Sequence, residues 1–181
     1  MSEPLRVLLI EDSEDDAFLE IEALKRIGRE PLWTRVESPE ELLAALEHGS
    51  WDLIFSDFTL PSFDGYDALE IVRERDHDVP FILISGTVGE ETAAEAMRRG
   101  ANDFILKGRL LRLAPVVERE LRDCQTRRER RRAEAALKES EQRYRSLVEQ
   151  AMDGIVVVTA GGSILEANPS ALAMTGYNRE E

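Results

Sequence analysis

Four short stretches of the chain place residues able to do chemistry directly after an apolar run. Glu11-Asp12 follows Leu5 to Ile10, Asp57 follows Leu53-Ile54-Phe55-Ser56, Ser85 follows Val79 to Ile84, and Lys107 follows Phe104-Ile105-Leu106. Singly, each reads as an ordinary turn or helix-cap residue. Four such coincidences at four strand ends do not. Brought together, Glu11, Asp12 and Asp57 would repel one another unless a proton or a cation intervened. A hard divalent ion with oxygen ligands resolves that repulsion, and Mg²⁺ is favoured where a phosphate shares the site. Lys107 supplies a mobile point charge for phosphate oxygens, and Ser85 a short-range hydroxyl donor. With Mg²⁺ and Lys107 offsetting the carboxylates, a phosphoryl group could approach Asp57, and Asp57 could attack it as in aspartyl-phosphate chemistry.

The elements between these stretches must position them. Ser13 is a plausible N-cap, after which Ala17, Ile21 and Leu24 share one helical face up to Gly28. Pro31–Val36 reads as a strand and Pro39–His48 as a helix with Leu42, Leu43 and Leu46 inward. After Asp57, Leu60-Pro61 stiffens a loop, Asp64-Gly65 marks a turn, and Tyr66–Asp76 resumes a helical pattern. Val79–Ile84 is a fourth strand, Glu90–Arg99 a helix ended by Gly100, and Asn102–Leu106 a fifth strand. Apolar runs this continuous suit strands covered on both faces. Five alternations of strand and helix predict a parallel sheet wrapped by helices, with all four polar tips at its carboxyl edge, where ligands bind.

Composition narrows the function classes. With 181 residues the chain holds one good domain and an appendage, and 43% hydrophobic with 33% charged residues is ordinary for a globular protein. A formal net charge of −14 argues against a general nucleic-acid binder and against attraction to anionic lipid. No apolar run approaches the length of a membrane span, and acids occupy the start where a signal peptide needs apolar residues. Cys124 is the only cysteine, so no internal disulfide can form. A cytoplasmic location is expected.

From Leu5 to about Leu121 the chain resembles the receiver domain of two-component response regulators. The likeness rests on the acid pair Glu11-Asp12, Asp57 followed by LPSFDG, the hydroxyl of Ser85 in ISGT, and Lys107 after Phe104-Ile105-Leu106, in the family's order. It implies a flavodoxin-like, doubly wound, five-stranded parallel sheet of order 2-1-3-4-5. It also implies a phosphoacceptor at Asp57, and metal binding through Asp12, Asp57 and the backbone carbonyl of Thr59, with Glu11 supporting. The phosphoryl donor implied is a phosphohistidine on a histidine kinase or histidine phosphotransfer protein. Two positions depart from the pattern. Phe104 stands where Tyr is frequent, so a switch coupling Ser85 to residue 104 must work by packing. Gly108 stands where Pro is frequent, so the usual cis bond that aims the lysine is not expected.

Beyond the sheet, Pro115 to Gln150 contains no Gly and no further Pro, which predicts a helix of roughly 50 Å. Leu110, Ala114, Val117, Leu121 and Cys124 form one seam, and Ala133, Leu137, Ser140, Tyr144, Leu147 and Ala151 a second in shifted phase. They predict a coiled coil with a phase break, and a homodimer through Pro115–Gln150. The competing expectation is a helix folded back on its own sheet. Arg127, Arg128, Arg130, Arg131 and Arg132 read as a solvated, salt-bridged face and not a DNA contact. The helix has no His, so it is not the phosphorylated dimerisation helix of a sensor kinase. His48 and His77 read as surface residues. Residues 154–167 read as a β-hairpin and Asn168-Pro169 as the start of a short helix. With SEQRYRSLVEQAMDG, this resembles the start of a PAS sensory domain, incomplete here and without an assignable ligand.

The expected division is a receiver at 1–124, a helical linker at 125–150 and the first part of a PAS domain at 151–181. The favoured function is a phosphoacceptor signalling module that catalyses only its own phosphorylation and dephosphorylation and passes its state along the helix. An aspartyl-phosphate hydrolase is the enzyme alternative, yet phosphatases of the haloacid-dehalogenase type need a second Asp two residues after the nucleophile, where this chain has Thr59. A nucleotide enzyme is disfavoured because EDSEDD would repel a pyrophosphate. A receiver fold kept only for dimerisation is the third reading.

Overall fold

The structure, a computed structural model, describes residues 4–86 and 90–176. Thr87 of the ISGT stretch lies outside them. Five parallel strands, β1 (Leu5–Ile10), β2 (Pro31–Val36), β3 (Leu53–Asp57), β4 (Phe81–Ser85) and β5 (Asp103–Leu106), form one sheet in the order β2-β1-β3-β4-β5. Between them run α1 (Glu14–Leu24), α2 (Pro39–His48), α3 (Gly65–Arg75) and α4 (Glu90–Arg98), and α5 (Leu113–Gln150) follows. The expected fold and strand order are therefore those observed.

Strand alternation divides the core into two layers. Leu5, Val7 and Leu9 face one side with Phe55, Ile82, Ile84 and Ile105, covered by Ala17, Ile21 and Leu24 of α1 and by Leu113, Val116 and Val117 of α5. Leu8, Ile10, Ile54, Phe81 and Leu83 face the other, covered by Leu42, Leu69, Val72 and Ala96 of α2, α3 and α4. Burying each such large side chain contributes about 1.5–3 kcal/mol. The strand tips therefore sit on main chain anchored from both faces.

Several expected bounds shift by one or two residues, two of them for clear local reasons. The fourth strand begins at Phe81 because Pro80 has no N–H to donate and the Val79 carbonyl accepts instead from Arg73 Nη1 at 2.9 Å. The helix after Asp57 begins at Gly65, capped by Asp64, whose carboxylate accepts from Tyr66 N and Asp67 N while Asp67 reaches back to Asp64 N. Gly65 is required there by space. A Cβ would lie 3.1 Å from Phe58 Cα and 3.2 Å from the Asp57 carbonyl oxygen, so no side chain fits between α3 and the acceptor loop.

Contacts divide the chain into two compact units, one ending at Arg128 and one starting at Glu129, and α5 contributes to both. The first expected seam is not an outward one. Val117 and Cys124 are buried in the sheet unit, and Leu110 and Leu121 pack against its core. Cys124 Sγ donates to the Asp78 carbonyl, and Arg128 pairs with Asp76 at 3.1 Å. This much of the helix folds back on its own sheet, because its apolar stripe completes the layer containing α1. The second seam is different: Leu137, Tyr144 and Leu147 are 70%, 54% and 68% exposed. Arg130 pairs with Glu134 one turn on, as a solvated face predicts.

In the second unit, β6 (Val156–Val158) and β7 (Ile164–Ala167) pair antiparallel as the expected hairpin, and α6 (Pro169–Thr175) follows. Asn168 ties the unit together. Its Oδ1 accepts from Ile155 N and Ala171 N, and its Nδ2 donates to the carbonyls of Val148 and Asp153.

Candidate functional site

Parallel pairing brings the tips of β1, β3, β4 and β5 to one edge, where Lys107 meets Glu11 and Asp57, and Asp12 lies beside those two carboxylates. Glu11, Asp12 and Asp57 each offer a carboxylate oxygen, and the three oxygens lie within 4.8 Å of one another. Lys107 Nζ donates to Asp57 Oδ2 at 2.8 Å and to Glu11 Oε2 at 2.9 Å. Asp57 closes β3 and is almost buried, with Oδ1 accepting from Thr59 N at 3.3 Å and Ser56 Oγ donating to its carbonyl. Ser85 ends β4, beside Leu106 of β5, and is 2% exposed. Phe104 lies on β5, partly buried against the layer that holds Leu83 and Ala96.

Burial raises the Glu11 pKa above its ordinary value, opposed by hydrogen bonds from Lys107 and Ser13 N. For Lys107, burial disfavours the charge, but hydrogen bonds to Asp16, Asp57 and Glu11 outweigh it and the net shift is upward. The ammonium is therefore fixed as a cation through the whole physiological range. Every peptide bond among the described residues is trans, so Lys107 is aimed without a cis bond at Gly108.

Three residues not singled out from the sequence belong to this edge. Asp16, in the first turn of α1, accepts from Lys107 Nζ at 2.5 Å. Arg35 on β2 donates to the carbonyls of Glu11 at 2.9 Å and Asp12 at 3.3 Å, clamping the β1–α1 loop. Glu20, one turn beyond Asp16, is 2% exposed, and its Oε1 has no hydrogen-bond partner among the described residues. The sequence signal for Asp16 was the run EDSEDD, which reads equally well as charge favouring the N-terminus of a helix, and Glu20 lies beyond that run. Nothing local marked Arg35.

The donor set consists of hard oxygens in a partly buried pocket with a lysine beside it, which suits a divalent cation and a phosphoryl group. No helix among the described residues is long and apolar enough to cross a membrane.

Comparison with known proteins agrees with this geometry. The response regulator receiver domain model matches residues 7–113, and a PAS domain model matches residues 142–181. The response regulator protein FleR of Pseudomonas aeruginosa is 35% identical over 104 residues, which cover 56% of this chain and 21% of FleR. The chain thus spans about a fifth of that relative's length. Among solved structures, the signal receiver domain of a LuxO repressor protein from Vibrio parahaemolyticus superposes with a TM-score of 0.62 at 26% identity, covering 69% of this chain and 95% of that one. The receiver domain of the sensor histidine kinase PA1611 from Pseudomonas aeruginosa, whose structure has a magnesium ion coordinated in the active site cleft, shares the fold with a TM-score of 0.56 at 23% identity, covering 66% and 98%. A match that runs from β1 to the start of α5 makes this chain a member of the response regulator receiver domain family.

Proposed function

We propose that Asp57 accepts a phosphoryl group from a phosphohistidine on a histidine kinase or phosphotransfer protein, in a Mg²⁺-dependent reaction. The observation that carries this is the contact of Lys107 Nζ with Asp57 Oδ2, inside a set of three carboxylates that can share one cation. Asp12, Asp57 and the Thr59 carbonyl would hold Mg²⁺, with Glu11 supporting. The ion supplies charge neutralisation that lets an anionic donor approach. An Asp57 oxygen forms the new O–P bond as the P–N bond to histidine breaks, and the histidine nitrogen keeps the electron pair. Lys107 stabilises charge on the transferring group by hydrogen bonding, with no proton transferred from it. Ser85 donates to a phosphoryl oxygen, and Phe104 fills the space it leaves.

The receiver is thus a signalling domain that processes its own acyl phosphate and no separate substrate. Its state passes through α5 to the PAS segment and whatever output follows. The domains are residues 1–124, 125–150 and 151–181. The homodimer of this reading uses the second seam of α5, where Leu137, Tyr144 and Leu147 are exposed. Nucleic acid is not a partner in it, given the net charge of −14 and the pairing of Arg128 and Arg130 with acids. The protein acts in the cytoplasm, where Cys124 stays a free thiol.

The test is incubation with Mg²⁺ and acetyl phosphate followed by intact-mass measurement. One labile phosphoryl adduct is expected on the wild type, none on Asp57→Asn, and none when the metal is chelated. An adduct of equal yield on Asp57→Asn would refute the assignment. Rapid turnover of phosphoesters would move the protein to the hydrolases.

A further inference from the structure

We infer that Asp16 is a positioning residue of this site: at rest it holds one N–H of Lys107, and the incoming phosphoryl group must take that N–H from it. The inference rests on Asp57 being the acceptor. A lysine ammonium has three N–H donors and nothing else. Here all three have carboxylate partners: Glu11 Oε2 at 2.9 Å, Asp57 Oδ2 at 2.8 Å and Asp16 Oδ2 at 2.5 Å. None is left for a phosphoryl oxygen, so one partner has to yield.

The three partners are not equal. The Glu11 side chain is 1% exposed, and its other oxygen accepts from Ser13 N at 3.0 Å, so it is held from two sides in a place water does not reach. Asp57 is the reacting group and stays at the centre. The Asp16 side chain is 35% exposed and takes no other hydrogen bond among the described residues, so water can replace Lys107 as its partner. Asp16 is also outside the trio that can share a cation. It is the partner that gives way. Its negative charge acts in the same direction, since it opposes the approach of an anionic donor. Both effects slow phosphorylation, and the charge effect is larger for a donor of higher negative charge. Asp16 therefore sets the threshold a donor must overcome, and favours a donor that brings compensating contacts of its own over a free small anion.

The helix cap is independent of this side chain, because Ser13 Oγ accepts from the Asp16 main-chain N. Asp16→Asn keeps size and cap while removing the charge. In the full 181-residue chain with Mg²⁺, Asp16→Asn is expected to raise the initial rate of adduct formation with acetyl phosphate about three- to tenfold, equivalent to about 0.6–1.4 kcal/mol. The gain with phosphoramidate, whose protonated nitrogen lowers its net charge, is expected to be smaller, and Asp16→Glu should return the rate toward wild type. A second readout is the Lys107 ammonium itself: its ¹⁵N-coupled protons should exchange slowly in the wild type and faster in Asp16→Asn. A purely structural role would move neither the donor dependence nor that exchange. An unchanged or lower rate in Asp16→Asn, or unchanged ammonium exchange, overturns the inference while an Asp57-dependent adduct on the wild type keeps the acceptor assignment. A wild type that forms no adduct removes the acceptor reading, and this inference with it.

Discussion

Glu20 offers the sharpest test of how the site loads the fold. Its side chain is buried on α1, and Oε1 lacks a hydrogen-bond partner among the described residues. Burial, then the charges of Glu11, Asp57 and Asp16, push its pKa well above the ordinary carboxylate value of 4.5, with Lys107 opposing. A buried polar group without a partner costs about 1–3 kcal/mol. Glu20→Met, which keeps the length and removes the polarity, is therefore expected to stabilise the receiver unit by about that amount at pH 7.5, or roughly 3–5 °C in Tm per kcal/mol for a unit of this size. Glu20→Gln removes the charge but keeps a buried polar end, so it should gain less. The pH dependence has a definite sign. Because the folded pKa lies above the unfolded one, the folded state retains the extra proton between them, and stability falls as pH rises through that window. Glu20→Gln lacks this slope, so its advantage over wild type should be small near pH 4.5 and grow toward neutrality. Urea unfolding followed by tryptophan fluorescence reads this unit alone, since Trp33 and Trp51 are the only tryptophans. A Glu20→Met protein less stable than wild type at pH 7.5, or a gap between Glu20→Gln and wild type that is flat with pH, would show that the carboxyl is neither stranded nor shifted.

Two further outcomes follow from the same geometry. Replacing Leu137 and Leu147 by Glu should weaken self-association at least about 100-fold, equivalent to about 2.7 kcal/mol, by sedimentation equilibrium; a wild type that is monomeric at micromolar concentration removes the dimer from the proposal. An acyl-phosphate mimic bound with Mg²⁺ should move Ser85 and shift the aromatic resonances of Phe104, and resonances that do not change would mean that packing at Phe104 does not report the state of Asp57.

The sheet was legible because both-face burial leaves a coarse signal. Leu5–Ile10 is such a run, and its observed bounds coincide with the pattern; the edge strand Pro31–Val36, exposed at Leu32 and Trp33, was legible from its β-branched and aromatic residues between Glu30 and Glu37. The strand-tip acids were legible for the same reason, since a parallel sheet leaves them no other edge. What was not legible depends on partners far along the chain. Lys107 is 91 residues from Asp16 and 96 from Glu11, and Arg35 is 24 from Glu11. No local pattern says which of the acids in EDSEDD turns inward. The seam from Leu110 to Cys124 shows a related limit. A heptad-like stripe states that a face is covered, not whether a second helix or the chain's own sheet covers it.

The division between rigid and movable parts of the site indicates where control must act. Glu11, Asp57 and Ser85 sit on or beside strand tips whose neighbours, Ile10, Phe55 and Ile84, are fully buried. Shifting any of those tips by a residue would expose side chains that contribute about 1.5–3 kcal/mol each. Exchanging one partly exposed partner of Lys107 involves about 1 kcal/mol or less. On the proposed function, a change of phosphorylation state that redirects the ammonium would therefore leave the sheet in place and act through side chains. Asp16 then matters beyond the acceptor itself, because its contact with Lys107 joins the end of β5 to the first turn of α1. On the proposed mechanism, turning Lys107 to a phosphoryl oxygen would release that tie, and Leu19, exposed one turn on from Asp16, marks the α1 face next to the change.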